Sequence, residues 1–169
     1  LMVWLGYAIS SIRQYMMNVG AWDDTLIVTM SEFGRTSAEN GSAGTDHAEA
    51  GPMFICGGGN RVHGGIYECC PNVTNPPCDD ANAPSNYTQV AWNTGEGPTS
   101  AMFGENDRYL KRTVDFRSVI GEIVCKHLGA SDAQLENIIL GYANPAESLK
   151  TGGNGLDGTP IVGELGMLV

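Results

Sequence analysis

The sequence predicts an α/β fold: a mixed, mostly parallel sheet flanked by helices and interrupted by one long irregular insertion. Three observations carry that expectation. A helical repeat of apolar residues runs directly into a short, continuously apolar strand, the order expected of a parallel sheet buried on both faces. A polar, glycine-rich loop follows that strand, at the end where open α/β sheets place their ligands. A stretch without periodicity, rich in Cys, Pro and Asn, then separates these elements from a second group of helical repeats.

The elements follow in order. Trp4, Ala8, Ile12, Tyr15, Met16 and Val19 recur at helical spacing, and Gly20 stands where a left-handed cap would end the helix. After the turn AWDD, the run TLIVTM (25–30) reads as a buried strand. Residues 31–51 are rich in Gly, Ser, Thr, Asn and acidic groups and form a loop. PMFIC (52–56) reads as a second strand, and RVHGGIY (61–67), after the GGG turn, as a candidate third. The insertion covers 68–106. Asp115 caps a helix whose stripe is Phe116, Val119, Ile120, Ile123, Val124 and His127, stopped by Gly129. Ser131 and Gln134 have capping-box spacing ahead of Leu135, Ile138 and Ile139. The Gly-rich tail, 151–169, alternates Gly with apolar residues and is open to three readings: edge strand, linker, or partner-binding segment.

Composition narrows the function classes. A chain of 169 residues with 42% hydrophobic content supports one core-bearing domain. With a formal charge of −10 and nine Lys and Arg, it offers no basic stripe for a nucleic-acid backbone. No apolar run approaches the roughly 20 residues of a membrane-spanning helix. The opening LMVWLGYAISSIRQYMM lacks a basic region and cleavage site, so a chain starting at Leu1 in mid-helix is expected to be part of something longer. Three of the five cysteines, Cys69, Cys70 and Cys78, lie in CCPNVTNPPC, where a thiol has no core to fill, and a disulfide staple is expected there. Sequons at Asn40, Asn72 and Asn86 fit an exported protein, periplasmic, secreted or at the cell surface.

The chemistry-bearing segment is TLIVTMSEFGRT followed by NGSAGTDHAEAGPMFICGGG. The strand delivers Glu32 and Arg35 into its loop, and Asp46 and His47 arrive just before the next strand. Carboxylates from Glu32 and Asp46 with the imidazole of His47 suit Zn or Mn, or Ca if further oxygens join. Arg35 is the residue type that grips phosphate or sulfate bidentately. Each also has a structural reading: Glu32 and Arg35 paired across a turn, Asp46 as an Asx-turn or cap, His47 hydrogen-bonded within the loop. His63 reads as strand decoration and His127 as a core or helix-end histidine.

The order DDTLIVTMSEFGRT, NGSAGTDHAEAG, MFICGGG, VHGGIY and TVDFRSVIGEIVCKHLG resembles the bacterial proteins of domain of unknown function family 1501, over about residues 1–70 and 108–142. The resemblance implies an alkaline-phosphatase-like superfamily member, whose relatives hydrolyse phosphate and sulfate esters. Residues 1–150 would then be the C-terminal part of an alkaline-phosphatase-like sandwich, its missing strands supplied by an upstream segment or another chain. SEFG and GTDHA look like the superfamily's two metal-ligand blocks, with Glu32 in place of an aspartate and His47 matching the late histidine. Phe33 stands where a metal-binding histidine would be, so one metal position is expected to be empty or rebuilt. The implied activity is an exported hydrolase acting on a small anionic ester, with Arg35 at the reacting group and a divalent metal (Zn, Mn or Ca) on Glu32, Asp46 and His47. The alternative is a non-catalytic secreted or cell-surface binding or structural module with a degenerate metal site.

Overall fold

The computed structural model describes residues 2–65, 114–147, 149–154, 160–161 and 163–168. The Cys/Pro-rich insertion lies outside the described residues, with the expected disulfide among Cys69, Cys70 and Cys78, the sequons at Asn72 and Asn86, and the end of the candidate third strand at Ile66 and Tyr67. The described cysteines, Cys56 and Cys125, are free, and burial pushes the Cys56 thiol up.

Helix α1 (Met2–Asn18) forms where the apolar repeat places it, and Gly20 ends it with φ at 71°, a conformation that suits glycine. A 3-10 turn, Trp22–Asp24, leads into strand β1 (Leu26–Val28), a narrower core of the expected 25–30 run. Strands β2 (Gly34–Arg35) and β3 (His47–Ala48) form a small hairpin, and β4 (Ile55–Gly57) occupies the end of PMFIC and the first residue after it. Helices α2 (Phe116–Lys126) and α3 (Asp132–Ile138) follow, then β5 (Gly153–Asn154) and β6 (Pro160–Ile161).

The chain is therefore mixed α/β, but its described strands pair antiparallel, contrary to the mostly parallel sheet expected. β1 pairs with β4 in the register Leu26–Gly57, Ile27–Cys56, Val28–Ile55. The reason lies in the connection. A parallel pair needs a crossover, normally a helix, whereas the 29–54 segment contains only the β2–β3 hairpin and returns the chain alongside its own outgoing strand. The candidate third strand contributes one bridge, Val62 to Leu168.

Both C-terminal helices are capped as the sequence requires. The Asp115 side chain accepts from the Arg117 N–H, and Ser131 and Gln134 form the complete reciprocal capping box. Phe116 departs from the expected stripe: it is 56% exposed, while Ser118 and Val119 of the same turn are buried.

The main core joins Val119 and Ile123 to Leu165, Met167 and Leu168, with Leu26, Val28, Met53, Ile55 and Val62 packed against them. The Gly-rich tail does carry strand, β5 pairing antiparallel with β6, and its last described residues are core. A buried carboxylate holds them there. Glu122 Oε2 accepts from Leu165 N–H (2.6 Å) and Gly166 N–H (3.0 Å), and Oε1 accepts from Leu168 N–H (3.0 Å). A second cluster packs Leu135, Tyr142 and Leu149 between α2 and α3.

Candidate functional site: the 33–48 hairpin

β1 ends at Val28, and two hydrogen bonds fix the chain just beyond it: Thr29 N–H donates to Phe54 C=O, and Phe54 N–H donates to Thr29 Oγ1. The chain then bends. Ser31 Oγ donates to Phe33 C=O (2.9 Å) and tightens the bend that carries Glu32, whose side chain is exposed. Gly34 is required at the next position, since a Cβ there would lie 1.7 Å from the Ala50 carbonyl oxygen. Arg35 therefore does not sit on the end of β1. It lies on β2, directly opposite His47 of β3.

Directly opposed residues of an antiparallel pair project from one face, so Arg35 and His47 rise side by side. Phe33 joins them. Its ring stacks on the His47 imidazole with centroids 3.7 Å apart and planes inclined by 21°, and the Arg35 guanidinium carbon lies 5.0 Å from the same ring's centroid. The aromatic face attracts the guanidinium electrostatically. Arg35 Nη1 also donates to Thr45 C=O at 2.9 Å, while both Arg35 and His47 stay exposed.

Asp46 faces differently. Its Oδ1 accepts from Asn40 Nδ2 at 2.7 Å, its N–H donates to Thr36 Oγ1, and its carbonyl accepts from Thr36 N–H. Of the four expected site residues, the structure pairs Arg35 with His47, turns the Asp46 carboxylate toward Asn40, and leaves Glu32 in the preceding bend. Among the described residues, no three His, Cys, Asp or Glu side chains come together in a group that could hold a metal ion. Glu32, Asp46 and His47 as they stand are thus not such a group, and the donor set does not fit a metal ion without further ligands. His63 N–H donates to Met167 C=O, and His127 caps the end of α2.

Asn40 and Thr45 carry no ligand signal in the sequence. Asn40 drew notice only as a sequon, yet an Asn followed by Gly, Ser, Ala and Gly is the composition of an Asx-type turn and marked a hydrogen-bonded loop.

A family model described as Protein of unknown function (DUF1501) matches residues 3–124. Neither the curated proteins nor the solved structures give a match. The matched span runs from the first turn of α1, through the 33–48 hairpin and into the last turn of α2, well over half of the chain; this protein belongs to the DUF1501 family.

Proposed function

We propose that the chain is the C-terminal part of an exported alkaline-phosphatase-like domain, hydrolase-like toward phosphate or sulfate esters, in which the 33–48 hairpin supplies the corner that grips the anion. One observation supports this above the others: Arg35 and His47 are register partners on one exposed face, both in contact with the Phe33 ring. A guanidinium presents paired donors that match two oxygens of a tetrahedral anion. An imidazole beside it can donate a hydrogen bond to a third oxygen, or a proton to a leaving one. With a formal charge of −10 on the whole chain, this local cationic corner suits a small anionic ester better than a nucleic acid. Any divalent ion, Zn, Mn or Ca, would take ligands from an upstream segment or another chain besides those the hairpin offers. Export to the periplasm, the cell surface or the medium rests on the Cys-rich insertion and the sequons.

A second reading has its own observation. The Phe33 ring covers one face of His47 at 3.7 Å and stands where the superfamily's ligand block would place a histidine. On that reading the corner binds anions without turning them over, as a non-catalytic module.

The test uses the whole natural protein, including any sequence upstream of Leu1. Release of p-nitrophenol from its phosphate and sulfate esters is followed for wild type, Arg35→Ala and His47→Ala, and inorganic sulfate binding is titrated by calorimetry. Hydrolysis that falls in both variants, with sulfate affinity lowered about tenfold or more by Arg35→Ala, is the expected result. Sulfate binding without turnover favours the module. Turnover and sulfate affinity unchanged in both variants exclude the hairpin as the site.

A further inference from the structure

Within the 36–46 loop the Asn40 side chain makes three hydrogen bonds. Its Oδ1 accepts from Ser42 N–H (3.0 Å) and Gly44 N–H (3.1 Å), and its Nδ2 donates to Asp46 Oδ1 (2.7 Å). Its backbone closes the same turn: Asn40 N–H donates to Gly44 C=O at 2.8 Å, and Ala43 N–H donates to Asn40 C=O at 3.2 Å. These bonds hold Ala43 at φ 57°, a left-handed conformation that a residue with a Cβ seldom adopts unsupported.

The bonds bracket Thr45 on both sides, at Gly44 and at Asp46. Thr45 is the residue whose carbonyl holds Arg35 Nη1. One residue further on stands His47, and Asp46 is tied to Thr36, the neighbour of Arg35. We propose that Asn40 is the positioning residue of the anion-gripping corner: its amide, bridging Gly44 and Asp46, sets the Thr45 carbonyl that aims the Arg35 guanidinium beside His47. The proposal rests on the reading of Arg35 and His47 as an anion site.

The amide is chemically specific. Asn40 must accept on one atom and donate on the other, because a carboxylate has only acceptors to offer. Asp at position 40 would keep the two bonds from Ser42 and Gly44 but set a carboxylate against the Asp46 carboxylate. Placing Asn at 46 in the same chain would reverse donor and acceptor and restore the bridge.

The experiment therefore compares wild type, Asn40→Asp and the double variant Asn40→Asp with Asp46→Asn, in the whole protein. Two readouts are taken: hydrogen exchange at the Thr36 and Asp46 amides, whose bonds join residue 46 to the Arg35 strand and which need no ligand, and the Kd for inorganic sulfate. Asn40→Asp should speed exchange and weaken sulfate binding about tenfold, the scale of one hydrogen bond to a charged group, and the double variant should return both toward wild type. A mere loss of fold would not be repaired by the exchange of donor and acceptor. Exchange and Kd both unchanged in Asn40→Asp overturn the proposal. If exchange follows the swap but wild type itself binds no sulfate, the anion reading falls and the loop bridge alone survives.

Discussion

At the residue scale, the titratable groups that matter most to stability lie away from the hairpin. Tyr142 is wholly buried, and its hydroxyl donates to Glu164 Oε1 at 2.7 Å. Burial, and then that hydrogen bond to a carboxylate, hold the phenol far above its ordinary value. A neutral phenol favoured by the fold contributes stability that is fully present below the unfolded value of about 10 and is lost as pH rises beyond it, since only the unfolded chain then releases the proton. Alkaline titration of wild type against Tyr142→Phe should therefore show the Tyr142 tyrosinate absorbance appearing together with unfolding, not before it. The variant should unfold at higher pH, at a cost of about 1 kcal/mol at neutral pH for the lost hydrogen bond. A Tyr142 signal that rises while far-ultraviolet dichroism stays native would show that the ring is accessible.

At the element scale, α2 is the support on which the rest is mounted. Asp115 caps it and also receives Arg117 Nε and Nη2, which raises the guanidinium's proton affinity further. α3 is pinned to the chain beyond it by Lys150, whose Nζ donates to both Asp132 oxygens. Gly121 marks where α2 meets the Tyr142 ring. A Cβ there would lie 1.9 Å from Tyr142 Cε2, and the ring cannot give way because its hydroxyl is tied to Glu164. Helix propensity alone favours Gly121→Ala by about 1 kcal/mol. Packing predicts the opposite sign, a destabilisation of roughly 1–3 kcal/mol from overfilling a close-packed contact. Urea denaturation of the two proteins decides it, and a midpoint that rises would mean that the Tyr142 ring is free to move.

At the scale of the whole molecule, the core depends on residues far apart in the chain. Leu165, Met167 and Leu168 are buried against Val119 and Ile123, and Glu122 takes three of the tail's N–H groups. Removing residues 163–169 would expose the α2 face and leave the Glu122 carboxylate without those partners. Burial of three large apolar side chains is worth roughly 1.5–3 kcal/mol each, so the loss approaches the whole margin of about 5–15 kcal/mol of a typical domain. The shortened protein should lose its near-ultraviolet dichroism and its slowly exchanging α2 amides. Retention of both would make the tail dispensable. In contrast, α1 has no buried residue among those described, with Trp4 75% and Tyr7 68% exposed.

What the sequence determined by itself is whatever depends on neighbours three or four residues away. The helical repeat of α1 with Gly20, the caps Asp115 and Ser131, and the stop at Gly129 were legible because capping and amphipathicity are local. The segment bearing Glu32, Arg35, Asp46 and His47 was legible too, as polar residues after an apolar strand, which the structure leaves half-buried. The tertiary structure alone decided which of these meet: Arg35 with His47 through the β2–β3 register, and Asp46 with Asn40. It also decided that β1 pairs antiparallel with β4, and that a Gly-rich tail becomes core. Those outcomes turn on contacts such as Glu122 with Leu165, 43 residues apart, and a pattern of period two or 3.6 holds no record of a partner at that distance.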